Sequence, residues 1–172
     1  MDYSRLYALQ FGEDVYLLTE ALKSAGFDLK NEVKSRDFYR VIIDGILQVD
    51  FVNDRVYRYG KSDIFKGYRV DNKINILANK LSAIVGRDEE KDIFDLFSLS
   101  YHESFNWKEI LGIANKKSIV EKDILIYRLK NFPLSWLERI KTIKKMSITK
   151  EQVEQLCDDI LYDRENSLKL CK

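Results

Sequence analysis

The segment from Ile74 to Tyr101 constrains the fold more than any other part of the chain, because its apolar residues recur at the spacing of a helix face on both sides of Gly86. In the first half they are Leu77, Leu81, Ile84 and Val85, and in the second half Ile93, Leu96, Phe97 and Ser100 continue the pattern. The segment therefore predicts two amphipathic helices, or one helix that is broken at Gly86.

Charged side chains are grouped in the same segment. They are Lys80, Arg87, Lys91, Asp92 and Asp95. Lys80 lies seven residues before Arg87 and can share a helix face with it, and the four-residue spacing of Lys91 and Asp95 allows the same. A solvated helix face with ion pairs explains such a group, and so does a functional site. The spacing alone leaves both interpretations open.

A β-hairpin is predicted over residues 35–52, where two apolar runs flank Asp44 and Gly45. Asp-Gly favours a type I′ turn, since both central residues of that turn need positive φ. A two-residue turn would place Tyr39 opposite Asp50, and the core face would then consist of Phe38, Ile42, Leu47, Val49 and Phe51. Asp50 projects from the other face, beside Gln48. A carboxylate in the middle of a strand needs solvent, a polar partner or a metal ion.

The N-terminal region before the hairpin predicts one helix. Residues 1–12 show little periodicity and are expected to form an irregular lead-in, and a helix face follows at Val15, Leu18, Leu22 and Ala25. Gly26 is where this helix is expected to stop, and residues 27–33 are typical of a strand.

Residues 53–75 predict an irregular connection with short strands at Arg55–Tyr59 and Tyr68–Val70. Aromatic side chains alternate there with basic ones, namely Arg55, Arg58, Lys61, Lys66 and Arg69. Such a mixture can stack bases and hold phosphates. Partly buried surface aromatics are the other explanation.

The chain after Tyr101 is predicted to be helical to its end and to form a small bundle. Capping boxes with hydrophobic staples mark two helix starts, at Asn106 with Glu109 and at Thr149 with Gln152. Between them we expect a helix over Glu121–Lys130 and another that begins at Pro133. The expected core positions are Trp107, Ile110, Leu111, Ala114, Trp136, Leu137, Ile140, Ile143, Val153, Leu156, Cys157, Ile160 and Leu161. A basic patch, either solvated or a surface for RNA phosphates, would comprise Arg139, Lys141, Lys144, Lys145 and Lys150.

Composition narrows the class of protein. At 172 residues, with 45% hydrophobic and 33% charged residues, the chain fits one globular domain or a small domain with an appended bundle. No apolar run reaches the ~20 residues that cross a bilayer, and the N-terminus lacks a signal-peptide pattern, so we expect a cytoplasmic protein without a membrane partner. Cys157 and Cys171 are too few for a disulfide framework, and His102, the single histidine, argues against a histidine-rich metal site.

The string K-L-S-A-I-V-G-R-D-E-E-K-D-I-F-D-L-F at residues 80–97 resembles the K-L-x-A-x-x-x-R-x-x-x-K-D-x-x-D-L-[YF] signature of the AbiEii toxin family of nucleotidyltransferases. The matching residues, without gaps, are Lys80, Leu81, Ala83, Arg87, Lys91, Asp92, Asp95, Leu96 and Phe97. The resemblance implies an α+β fold. Residues 1–73 would form part of a small antiparallel or mixed nucleotidyltransferase-like sheet with flanking helices, and residues 74–172 would form the helical portion.

The resemblance also implies roles for particular residues. Asp50 would be a Mg²⁺ ligand, and Asp50, Lys80 and Asp92 would be the catalytic residues. Lys80, Arg87 and Lys91 would bind the nucleotide. Asp92 would act as a base or hold Lys80, and Asp95 would cap or tie the two helices together. The implied substrate is a nucleoside triphosphate, the acceptor is tRNA, another RNA or a protein, and a cognate antitoxin is the expected partner.

The chain departs from the family pattern before Asp50, where neither a Gly-Gly or Gly-Ser turn nor a D-x-D pair occurs. A truncated or degenerate enzyme would explain this, and so would a variant that uses Asp2, Glu13 or Asp14 as substitute ligands. Loss of a strand would expose a sheet edge that a second copy could cover, which predicts a homodimer. The alternative function is therefore a non-catalytic interaction protein that retains the C-terminal half of the fold.

Overall fold

The computed structural model describes residues 3–142 and 146–169, with side chains from residue 10 onward. The chain divides into two compact units, Met1–Val56 and Tyr57–Lys172. The first contains a long helix and a three-stranded antiparallel sheet, and the second contains a two-stranded ribbon followed by helices. The predicted α+β class is therefore confirmed. The division expected at residue 73 falls inside the second unit, between its ribbon and its helices.

The first unit consists of α1 (Tyr3–Ser24), β1 (Leu29–Lys34), β2 (Phe38–Ile43) and β3 (Leu47–Val52). The strands lie in the order β1-β2-β3, and each is antiparallel to its neighbour. Gly26 follows α1 with φ of +92°, which confirms the predicted helix stop. The core of this unit is small and comprises Val15, Tyr39, Val41 and Ile43.

Two expectations about the first helix are wrong. Residues 3–12 belong to α1 and do not form an irregular lead-in. The buried face of α1 includes Val15 and Thr19, whereas Leu18 is half exposed. The Thr19 hydroxyl donates a hydrogen bond to the Val15 carbonyl at 2.9 Å, which lets a polar residue occupy the buried face. A purely apolar pattern therefore placed Val15 and Leu22 correctly against the core, but it missed Thr19 and wrongly included Leu18 and Ala25.

The predicted hairpin turn is present, but its loop has one extra residue. Asp44 and Gly45 have φ of 52° and 68°, as a type I′ turn requires. Ile46 follows them as part of the loop, and its amide donates to the Ile43 carbonyl at 3.0 Å. Ile43 pairs with Leu47, so the predicted register is wrong by one residue.

This one-residue shift brings apolar residues of both strands onto one face. Tyr39 lies opposite Phe51 and Val41 lies opposite Val49, and the Tyr39 and Phe51 ring centroids are 6.1 Å apart. Because side chains alternate along a strand, the predicted register would have set these apolar residues opposite polar ones. Three expected core residues are consequently only half-buried or exposed, namely Phe38, Ile42 and Leu47.

The second unit starts with a short ribbon. It consists of β4 (Asp63–Phe65) and β5 (Tyr68–Val70), joined by a turn at Lys66 and Gly67, both of which have positive φ. β5 coincides with a predicted strand. The strand expected at residues 55–59 is absent from the structure, and the backbone of Tyr59 is instead bonded to the Asn75 side chain.

Among the residues that the structure describes, five α-helices pack around a second and larger core. They are α2 (Lys73–Gly86), α3 (Glu90–His102), α4 (Trp107–Asn115), α5 (Lys122–Asn131) and α6 (Lys150–Leu161). The predicted break at Gly86 is confirmed, as are the caps at Asn106 and Thr149. Cys157 lies in this core, as predicted, and His102 is exposed at the end of α3. Among the described residues, no helix has the length and apolar character that a bilayer crossing requires.

Two expectations about the last third are wrong. Pro133 precedes a 3₁₀ helix, Leu134–Arg139, which has no fully buried residue, in place of an α-helix with a buried face. Leu161 is exposed, and Asp159 occupies the buried side of α6, where it accepts hydrogen bonds from the Ser167 amide and hydroxyl. Several residues of the earlier predictions lie outside the described ranges, namely Asp2, Ile143, Lys144, Lys145 and Cys171.

Candidate functional site

The charged motif residues gather because α2 and α3 pack through their apolar faces. Leu81 on α2 and Leu96 on α3 are both completely buried. Lys80 directly precedes Leu81, and Asp95 directly precedes Leu96. The charged side chains therefore lie at the border of the apolar contact between the two helices, where they can reach each other.

Asp92 is the centre of an ion-pair network. Asp92 is completely buried, with 0% of its surface exposed. Its Oδ1 accepts a hydrogen bond from Lys80 Nζ at 2.9 Å, and its Oδ2 accepts one from Arg87 Nε at 2.8 Å. A buried carboxylate is costly unless it is paired and hydrogen-bonded, and here each oxygen has its own cation. The network joins the residue after α2, Arg87, to the first turn of α3.

The network shifts the proton affinities of its members. Burial alone would raise the pKa of Asp92, but the hydrogen bonds from Arg87 and Lys80 outweigh burial and lower this pKa below its usual value of 3.8. Burial alone would likewise lower the pKa of Lys80, but its hydrogen bonds to Asp95 and Asp92 raise this pKa above 10.5. The hydrogen bond to Asp92 also raises the pKa of Arg87. All members are therefore charged at neutral pH, and Asp92 is a weak proton acceptor.

The other charged residues of the motif are more exposed than Asp92. Asp95 Oδ2 lies 2.5 Å from Lys80 Nζ, so Lys80 contacts two carboxylates. The Lys91 ammonium pairs with Glu89 at 3.0 Å, and the side chains of Lys91 and Arg87 are at least half exposed. Arg87 and Lys91 are therefore accessible to solvent, while Lys80 is mostly buried.

Asp50 lies in the first unit, on β3, opposite Arg40 on β2. Arg40 Nε donates to Oδ1 at 2.7 Å and Arg40 Nη2 donates to Oδ2 at 2.8 Å, which makes the pair bidentate. Gln48, the expected neighbour, approaches the same carboxylate at 3.3 Å. Tyr39 is not the opposite residue, because of the register shift.

The surroundings of Asp50 do not fit a Mg²⁺ site. Mg²⁺ is usually bound by one or two carboxylates together with substrate phosphates, in octahedral geometry. Both oxygens of Asp50 already accept hydrogen bonds from the Arg40 guanidinium, whose positive charge opposes a second cation. Across residues 3–142 and 146–169, no group of three or more His, Cys, Asp or Glu side chains could hold a metal ion. Asp50 is thus the ion-pair partner of Arg40 in this structure.

Sequence analysis missed a second polar cluster, at the start of α2. Asn75 is buried. Its Oδ1 accepts a hydrogen bond from the Tyr59 amide at 2.8 Å, and its Nδ2 donates one to the Tyr59 carbonyl at 2.9 Å. Asn72 caps α2 by accepting from the Asn75 amide. The signal was present, because Asn72 immediately precedes the first periodic residues of the helix, where an N-cap is expected.

Comparisons of the chain with protein-family models, with curated proteins and with solved structures found no match. The resemblance to the AbiEii toxins remains a prediction that rests on the motif at residues 80–97. The structure adds the geometry of that motif, in which Lys80, Arg87 and Asp92 form one hydrogen-bonded network.

Proposed function

We propose that this chain is a nucleotidyltransferase-like domain of the AbiEii toxin type, which binds a nucleoside triphosphate at the α2–α3 helix pair for transfer of a nucleotide to an RNA or protein acceptor. The observation that carries the proposal is the convergence of Lys80 and Arg87 on the buried carboxylate of Asp92. A charged surface that served only solubility would not need to bury a carboxylate. A buried carboxylate that orients cations is, however, a means of holding them ready for a ligand.

In this proposal the network positions cations for phosphate groups. Arg87 contacts Asp92 through Nε. In the proposal, the terminal nitrogens of its guanidinium bind phosphate oxygens of the substrate, for which a planar guanidinium is well suited. Lys91 adds a second exposed positive charge. Asp92 is a positioning residue, because both of its oxygens are engaged and its pKa is lowered. Mg²⁺ would enter with the substrate, coordinated by the triphosphate oxygens.

Titration of the full chain with each nucleoside triphosphate in the presence of Mg²⁺ tests the proposal. We expect calorimetry to detect saturable binding of at least one of them, and Arg87→Ala to weaken that binding by about 10- to 100-fold, because a hydrogen bond to a charged group contributes about 1.5–3 kcal/mol. Lys91→Ala is expected to weaken it less, since an exposed ammonium contributes mainly charge.

Arg128→Ala is the matched control. Arg128 also pairs with a carboxylate, Asp88, but it belongs to α5 and lies outside the Asp92 network. The proposal is wrong if no nucleoside triphosphate binds, or if Arg128→Ala and Arg87→Ala weaken binding equally. Thermal unfolding of each variant shows that a loss of binding does not come from a loss of structure.

A second candidate function is the non-catalytic interaction protein, with a second copy or an antitoxin at the edge of the sheet. It is favoured by β3, an edge strand in the order β1-β2-β3, because Leu47 and Val52 on this strand are exposed, as is Ile46 in the loop before it. Exposed apolar edge strands tend to pair with other chains.

For this candidate we expect light scattering to show self-association. Val52→Lys should weaken it and raise the dissociation constant at least tenfold, because a lysine on an edge strand opposes pairing. Ile119→Lys is the control, since Ile119 is also exposed but lies in the loop between α4 and α5. A chain that remains monomeric at all accessible concentrations would rule out the homodimer.

A further inference from the structure

The β4–β5 hairpin presents two aromatic rings to solvent. Phe65 is 61% exposed and Tyr68 is 74% exposed. The two residues pair directly across the turn, so their side chains project from the same face of the ribbon. Every residue of both strands is exposed. The hairpin therefore contributes little to the core of its unit, and another reason is needed for its aromatic side chains.

The base of the hairpin is firmly attached to the start of α2. Asn72 Nδ2 donates to the carbonyls of Tyr59 and Lys61 at 2.7 and 2.9 Å. Asn75 exchanges two hydrogen bonds with the backbone of Tyr59, and Arg58 pairs with Asp71 at 2.8 Å. An isolated two-stranded ribbon is at best marginally stable in water. These polar anchors support the ribbon at its base and leave its aromatic face open.

Positive charge surrounds the aromatic pair. Lys66, in the turn, places its ammonium 5.5 Å from the centroid of the Phe65 ring. Residues 57–71 include four basic side chains, Arg58, Lys61, Lys66 and Arg69. They include two carboxylates, Asp63 and Asp71, and Asp71 is already paired with Arg58. The exposed hairpin is therefore both aromatic and cationic.

We propose that the β4–β5 hairpin is a docking surface for single-stranded nucleic acid. Phe65 and Tyr68 stack on unpaired bases, and the phosphates contact Lys61, Lys66 and Arg69. The proposal goes beyond the nucleotide site at α2–α3, because it concerns a polymer and a separate surface, and because strand binding requires no transfer reaction.

The chemistry of the hairpin favours this partner over two others. Aromatic rings stack on any base whose face is free, whereas the bases of a duplex are already stacked on each other. A protein that covered the two rings would desolvate the neighbouring cations and would need carboxylates to compensate. A single strand offers free base faces and regularly spaced negative charges together, which matches the interleaved rings and cations.

Fluorescence anisotropy with labelled oligo(U) and oligo(dT) of about 12 nucleotides, within the usual site sizes, tests the proposal on the full chain without any nucleoside triphosphate. Both strands should bind, since stacking and phosphate contacts do not read the 2′-hydroxyl. Phe65→Ala and Tyr68→Ala should each weaken binding by about 5- to 30-fold. Lys66→Asn and Arg69→Gln should each remove one phosphate contact and so reduce the steepness of log binding constant against log salt concentration by about 0.7. Asn is chosen at position 66 because it tolerates positive φ.

Tyr127→Ala and Lys108→Gln are matched controls, because Tyr127 is 68% exposed on α5 and Lys108 is exposed on α4. Neither should change binding. The proposal is overturned if neither oligonucleotide binds, if a duplex of equal length binds as tightly, or if Tyr127→Ala weakens binding as much as Tyr68→Ala. It is also overturned if the Phe65 and Tyr68 variants alter only self-association in light scattering, since the surface would then be a protein interface.

Discussion

We expect Asp92→Asn to lower the free energy of unfolding by about 3 kcal/mol and Asp95→Asn to lower it by less than about 1 kcal/mol. The two residues are three positions apart on α3, and each contacts Lys80. The side chain of Asp92 is 1% exposed and that of Asp95 is 43% exposed. Asp92→Asn removes the charge that Lys80 and Arg87 share in the interior, whereas water can replace Asp95. Equilibrium unfolding in urea measures both changes.

The estimate for Asp92 lies at the low end of the range for a broken buried ion pair, because Arg87 is half exposed and remains hydrated after the substitution. Asp95→Asn serves as the matched control, with the same chemical change on the same helix. Equal losses in the two variants would contradict a buried network and would mean that water reaches Asp92.

Asp92→Asn should also change the way in which stability depends on pH. The folded pKa of Asp92 lies below its unfolded value near 3.8, so its stabilisation is complete above that value and is lost as the pH falls through the folded pKa. The folded pKa of Lys80 lies above 10.5, so its stabilisation is present below 10.5 and is lost as the pH rises through the folded pKa. The difference between wild type and Asp92→Asn should therefore be constant from about pH 5 to about pH 9 and shrink below pH 3.8.

Leu156→Ala is expected to lower the free energy of unfolding by about 3 kcal/mol, and Leu161→Ala by less than about 1 kcal/mol. Both leucines belong to α6, and the sequence pattern placed both on its buried face. In the structure Leu156 is 0% exposed and Leu161 is 45% exposed. The first substitution leaves a cavity among packed side chains, and the second mostly removes atoms from water. Urea unfolding of the two variants measures the difference.

The comparison also tests how α6 is oriented. Asp159 occupies a buried position on that helix and bonds to Ser167, which sets the face that α6 turns toward the core. If the two leucine substitutions lowered the free energy of unfolding equally, both leucines would be buried, as the sequence pattern predicted. That result would contradict the structure of this region.

Local sequence patterns were sufficient where a feature depends on residues only a few positions apart. The two helices around Gly86 followed from apolar periodicity, and the helix starts after Asn106 and Thr149 followed from their caps. The positive φ of Asp44 and Gly45 followed from the preferences of those two residues in a turn. None of these features requires a distant contact.

The hairpin register needed tertiary information. A loop of two residues and a loop of three residues are both compatible with Asp44 and Gly45, and the choice between them depends on burial. The observed register sets Val41 opposite Val49 and Tyr39 opposite Phe51, so that the apolar side chains share one face. It also gives Asp50 an arginine partner, Arg40, which the sequence-based register did not predict.

By itself the sequence placed Lys80 on one helix and Asp92 and Asp95 on the next, because apolar periodicity marks a helix on each side of Gly86. Only the tertiary structure decided which carboxylate is enclosed. Asp92 and Asp95 have the same side chain and nearly the same position on α3, but the packing of α2 against α3 covers Asp92 and leaves Asp95 at the border. Burial depends on what the neighbouring helix covers, and that is a property of the packed structure.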